Sequence, residues 1–138
     1  MKPILLDTGP IVALLDPTDG FHSACSQAIA NVGAPLVTCE AVIAESCHLL
    51  RNLRGAPEAV LENVAAGAFQ IPLALSQAAP DVKRVLQRYG DREIDLADAC
   101  LVHLANELGT GEILTLDRDF HIYRWRKNNA FRFLIPLM

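Results

Sequence analysis

No apolar run in this 138-residue chain approaches the roughly 18 residues that a membrane-spanning helix needs, so a helical membrane protein is excluded. No signal-peptide h-region or small-residue cleavage site is found before the first strand, and the sequence predicts a cytoplasmic protein. The four cysteines, Cys25, Cys39, Cys47 and Cys100, contain no CxxC pair and sit among apolar residues. They read as free buried thiols of a reducing compartment, not as disulfides or zinc ligands. There is no internal repeat, low-complexity segment or linker. Positive charge is not in excess either: the net charge is −4, which at first argues against a nucleic-acid partner.

What is present is a generous apolar complement, 51% hydrophobic with 20% charged residues, ample for one packed domain over 1–138. Of the twelve basic residues, Arg118, Arg124, Arg126, Lys127 and Arg132 fall within the last twenty-one positions. A local basic patch on an acidic protein still binds phosphates, or it keeps an edge strand soluble. The rings of His121, Tyr123 and Trp125, interleaved with these cations, are either stacking surfaces for bases or ordinary core.

Ile4-Leu5-Leu6 is a short continuous apolar run that suits a strand buried on both faces, and Asp7 ends it before the turn Thr8-Gly9-Pro10. Further strands are predicted at Pro35–Thr38, Phe69–Leu73, Glu112–Leu116 and Phe131–Ile135. Pro72 cannot donate to a ladder, which puts the third strand at an edge. Helices are predicted at about 22–32, 40–53, 57–66, 76–89 and 96–108, with 118–129 irregular or a short helix. This alternation implies an α/β fold, a parallel sheet flanked on both faces by helices.

In such sheets ligands bind beyond the carboxyl ends of the strands. Asp7 and Asp117 each end an apolar strand and would point to the same edge, although Asp7 is equally a helix N-cap. Glu45 shares a helix face with Val42 and Leu49, where a carboxylate is costly unless paired or bound to a metal. Asp98 follows Asp95 by three residues. That is a capping-box spacing, yet it also places a carboxylate in an early helix turn beside the sheet's end. Glu40 is a first-turn acid with a structural role. Carboxylates crowded into one cleft repel unless protonated or neutralised by a cation, and oxygen ligands select Mg²⁺ or Mn²⁺.

Together these segments resemble the PIN-domain ribonucleases, most closely the VapC-type toxins. The matching elements are Leu5-Leu6-Asp7-Thr8, the helix acid Glu45, Asp98-Ala99 following Ile94-Asp95-Leu96-Ala97, and Thr115-Leu116-Asp117-Arg118-Asp119-Phe120. The resemblance implies a three-layer PIN-like sandwich with a five-stranded parallel sheet in the order 3-2-1-4-5. It implies Asp7, Glu45, Asp98 and Asp117 as catalytic metal-binding acids, with Thr8, Thr115, Asp95 and Asp119 in support. It also implies Mg²⁺- or Mn²⁺-dependent cleavage of RNA, a homodimer, and a partner antitoxin that blocks the site. The basic residues proposed to hold RNA are Arg118, Arg124, Arg126 and Lys127. Two alternatives use the same residues. One is a receiver-like Mg²⁺-binding signalling domain, disfavoured because the third strand ends in Leu73-Ala74-Leu75 with no acid. The other is a PIN-like module that binds RNA or protein without cutting.

Overall fold

A computed structural model describes residues 2–136. Five strands form one parallel sheet: β1 (Ile4–Leu6), β2 (Leu36–Val37), β3 (Phe69–Gln70), β4 (Glu112–Leu114) and, last in the chain, β7 (Arg132–Phe133). Their order is β3-β2-β1-β4-β7, the arrangement expected. The helices are α1 (Thr8–Leu15), α2 (His22–Asn31), α3 (Glu40–Leu49), α4 (Ala56–Ala65), α5 (Leu75–Arg88) and α6 (Leu96–Leu108).

Strand register, more than strand order, fixes where the strand-end acids stand. Leu5 pairs with Ile113 and Leu6 with Leu114, so Asp7, one residue on, stands level with Thr115. The Asp7 amide extends the ladder to Leu114 O at 3.0 Å. The strands read as continuous apolar runs because Ile4, Leu5, Leu6, Ile113 and Leu114 are all buried. β3 is indeed an edge strand, and it stops at Gln70, two residues before Pro72. At the other edge Glu112 pairs with Arg132 in register and by an ion pair at 3.4 Å.

Helix α1 starts directly at the end of β1. Gly9 fits closely against the next strand's end, since a Cβ there would lie 3.2 Å from Leu116 Cβ and Cδ1. Pro10 falls in the first turn, where no intrahelical N–H is needed. Helix α6 is buried at every position from Ala97 to Ala105 and packs against β1, α3 and α5. A helix buried all round behaves as a core rod, not as an amphipathic cover. Its two polar passengers in that span are Asp98 and His103. Gly109, at φ 65°, ends the helix in the left-handed conformation.

The segment 118–129 holds more order than its sequence predicts. A 3-10 turn covers Arg118–His121, and an antiparallel hairpin joins β5 (Arg124–Trp125) to β6 (Asn129–Ala130). The hairpin turn places Arg126 at φ 42° and Lys127 at φ 75°. Glycine or asparagine ordinarily signals such left-handed positions, so the turn carries no sequence signal. Its stability comes from elsewhere: the Arg126 amide donates to Asn106 Oδ1 at 2.6 Å, and Arg88 donates to Lys127 O at 2.8 Å. All four cysteines are free, and Cys47 is the one only half-buried.

Trp125, the sole tryptophan, lies over Gly111, where a Cβ would come within 2.0 Å of its Nε1. The indole also donates to Ala130 O at 3.2 Å. Gly111→Ala must therefore displace the ring. The expected result is a loss of about 1–3 kcal/mol, read by chemical denaturation, with a red-shifted tryptophan emission in the folded state. Unchanged emission would refute the packing described.

Candidate functional site

At the carboxyl edge of the sheet a cleft of about 280 Å³ is lined by six acids: Asp7, Asp19, Glu45, Asp95, Asp98 and Asp117. No Lys or Arg lines it. Carboxylate oxygens of Asp7, Asp98 and Asp117 lie within 4.8 Å of one another. Glu45 stands in the same cleft, exposed on α3, outside that group of three.

The two strand-end acids are tied through one hydroxyl. Thr115 Oγ1 donates to Asp7 Oδ2 at 2.7 Å and accepts from the Asp117 amide at 3.0 Å. This follows from the β1–β4 register, which sets Thr115 beside Asp7. Asp7 is also the N-cap of α1, with Oδ1 accepting from the Thr8 amide at 2.8 Å. Capping and membership of the cleft therefore hold together. Burial pushes the Asp7 carboxyl up to about 6; Thr115 and Thr8 hold it down, while Asp117 and Glu45 add to the rise.

Asp98 separates the two readings that its spacing leaves open. Asp95 caps α6, its Oδ1 accepting from the Asp98 amide at 2.8 Å. The Asp98 carboxylate does not return the bond to the Asp95 amide. It turns inward and accepts from Tyr123 OH at 3.3 Å. Burial, then the charges of Asp7, Asp95 and Asp117, push Asp98 up to about 8. Asp117 is raised by burial and by the charges of Asp119 and Asp95, partly offset by the Asp119 amide bonding its Oδ1 at 2.9 Å. Glu45 is raised by burial and by Asp95, with the Thr8 hydroxyl acting the other way. That hydroxyl is buried and makes no hydrogen bond of ordinary geometry.

Asp119 is exposed on the 3-10 turn and outside the cleft lining. Asp19 is an acid of the cleft that the sequence pattern does not single out. It sits in the loop Asp16–Gly20, and its place at the cleft is decided by the packing of α2 on α1, which no local pattern reveals. Of the two roles open to Tyr123, stacking surface or core, the structure gives it the second. It is 1% exposed and packs edge-on against Tyr89 and Phe120. His121 already stacks on Phe133 at 4.0 Å. Among the four expected cations, Arg124 donates to the carbonyls of His121, Tyr123 and Ile122, and Arg126 Nε donates to Asn106 O. The side chains of Arg118 and Lys127 make no hydrogen bond or ion pair among the described residues.

The PIN domain family model matches residues 4–125. The chain is similar to Ribonuclease VapC26 of Mycobacterium tuberculosis (strain ATCC 25618 / H37Rv), at 33% identity over 134 residues, covering 96% of this chain and 98% of the relative. Among solved structures it resembles M. tuberculosis VapC20, described as a sarcin–ricin-loop-cleaving toxin, with a TM-score of 0.76 and 20% identity. That superposition covers 84% of this chain and 91% of that one.

The raised acids set a pH dependence with a definite sign. Asp7 and Asp98 bind protons more tightly folded than unfolded, where their ordinary value is 3.8. The contribution of these two acids to the stability of the metal-free protein is therefore largest at acid pH and falls as pH rises from about 4 to about 8, then levels. Melting in EDTA across that range should show the fall. Asp98→Asn should flatten much of its upper half, and a wild type that gains stability towards pH 8 would contradict the charge crowding.

Proposed function

The chain belongs to the PIN domain family, and from that premise we propose that it is a divalent-metal-dependent endoribonuclease acting as the toxin of a type II toxin–antitoxin pair. The observation that carries this reading is the convergence of Asp7, Asp98 and Asp117 to within 4.8 Å, in a cleft with no basic side chain to balance them. The donor set is all oxygen, which suits Mg²⁺ or Mn²⁺ better than Zn²⁺. The Thr8 hydroxyl next to Asp7 fits the same group, as a buried oxygen at the cleft's lining that no protein group among the described residues satisfies.

Asp7, Asp98 and Asp117 would hold the ion. Bound there, it supplies a more acidic water and stabilises the leaving oxygen of a phosphodiester. Thr115 fixes the orientation of Asp7 and the approach of Asp117, and Tyr123 fixes that of Asp98. Glu45, solvent-exposed within the cleft and with a raised pKa, is placed to accept a proton from the attacking water. Asp95 and Asp119 act through charge, since each raises the pKa of Asp117. Leu49, lining the cleft and 54% exposed, and Leu96, 42% exposed at the start of α6, offer an antitoxin an apolar hold beside the acids. A homodimer and a cytoplasmic location complete the reading; no described helix is long and apolar enough to cross a membrane. The receiver-like alternative needs a lysine at the cleft, and none lines it.

The test is RNA cleavage by the full chain with Mg²⁺, Mn²⁺ or EDTA. Cleavage should require the ion. Asp7→Asn, Asp98→Asn and Asp117→Asn should each lower it on the order of 10²–10³-fold, and Glu45→Gln less severely. Cleavage undiminished in EDTA, or RNA binding with no cleavage by the wild type, would overturn the reading, the latter in favour of a non-cutting module.

RNA holding is assigned first to Arg118 and Lys127, whose charges are not engaged within the chain. Replacing either by Ala should weaken binding across all sequences and reduce the slope of log affinity against log salt by roughly one. Arg124→Ala and Arg126→Ala should lower the melting temperature as well, because their guanidinium groups bond backbone carbonyls. An unchanged salt slope in the Arg118 and Lys127 variants would reject their role.

A further inference from the structure

On the opposite side of α6 from Asp98, a second cluster joins α6 to α5. His103 and Glu107 are four residues apart and share one face of α6, and Asp81 faces them from α5. One ligand atom from each lies within 4.8 Å of the other two. Two hollows of about 330 and 340 Å³ open beside them, and all three residues line both. The cluster is thus a septum that solvent reaches from two directions.

The histidine is the informative member. His103 is only 6% exposed, yet neither ring nitrogen makes a hydrogen bond among the described residues. Neither nitrogen is sealed in the core: the two hollows that His103 lines leave its ring open to a ligand entering from either side. The carboxylates beside it are exposed, so neither is trapped by the fold. Asp81 pairs with Arg84 through Oδ1, which leaves its other oxygen unengaged. Asn106 and Arg88 border the second hollow. This cluster shares no residue with the acid cleft.

We propose that Asp81, His103 and Glu107 form a second divalent-cation site, of the Zn²⁺ class, that cross-links α5 to α6. One imidazole nitrogen with two carboxylate oxygens is a borderline donor set, unlike the all-oxygen cleft, and it suits Zn²⁺ over Mg²⁺. Three protein ligands leave a fourth position to water, which the two hollows admit. The ion supplies the partner that the His103 ring lacks. The proposal is independent of the nuclease reading, since no residue is shared.

The experiment titrates Zn²⁺ into the EDTA-stripped full chain by calorimetry, with excess Mg²⁺ present to occupy the acid cleft. Co²⁺ serves as the optical probe of imidazole coordination. Wild type should bind one Zn²⁺, and Asp98→Asn should retain it. Glu107→Gln and Asp81→Asn, at exposed positions that tolerate substitution, should each weaken binding about tenfold or more, since even outer ligands contribute that much. His103→Gln should remove the Co²⁺ absorption bands. If that variant fails to fold, the two exposed variants still decide. Absence of Zn²⁺ binding overturns the proposal. So does binding that is lost in Asp98→Asn and kept in Glu107→Gln, which would place the ion in the acid cleft.

Discussion

Carboxylates drawn into one cleft repel one another, and here no lysine or arginine stands among them. The parallel sheet forces the crowding: β1 and β4 are neighbours in register, so the acids that end them share an edge. Helix α6 adds a third acid from its first turn. Protein groups only partly relieve the strain, through the hydroxyls of Thr115 and Tyr123 and the amides of Thr8 and Asp119. Burial first, and then the charges of Asp7, Asp95 and Asp117, push Asp98 up to about 8. A site whose carboxylates are all pushed upward is one that a divalent cation would relax.

The parts of this arrangement that depend on strand ends were legible. Asp7 and Asp117 each follow a short apolar run, and a parallel sheet sends both to one edge. Asp98 was legible in place but not in direction, because a capping box and a cleft acid have the same spacing. Only the turn of its carboxylate towards Tyr123, twenty-five residues on, separates them. Glu45 was reached through a helix face on which Val42 is buried but Leu49 is exposed. It therefore lies at the margin of the apolar stripe, where that stripe meets the cleft. Asp19 and the β5–β6 hairpin were not legible. The first depends on how α2 packs on α1. The second uses Arg126 and Lys127 at left-handed positions, held by side chains from α5 and α6.

The basic tail divides along the same line between local and distant contacts. Charge density alone suggests a phosphate-binding patch. The structure shows Arg124 and Arg126 serving the backbone, Arg124 on carbonyls of the 121–123 segment and Arg126 on the Asn106 carbonyl in the last turn of α6. Arg118 and Lys127 are left as unengaged cations. Arg118 follows Asp117 directly in the chain and is exposed on the 3-10 turn, on a protein whose net charge is −4. Local placement, not net charge, is what an anionic polymer would meet there.

One criterion sorts these acids better than spacing does: whether a buried polar group is satisfied within its own turn. Asp95 is exposed and bonds its own helix, as a cap should. Glu40 is exposed in a first turn and needs nothing further. Asp98 is buried, and its carboxylate is met only by a distant tyrosine and by other acids. His103 is buried on the same helix, five residues later and about 140° around the axis, and its ring makes no hydrogen bond among the described residues. On a helix buried at nine consecutive positions, polar side chains are exceptions that packing does not explain. The cleft accounts for the first of these two exceptions. The septum between α5 and α6, with two carboxylates within reach of the ring, accounts for the second.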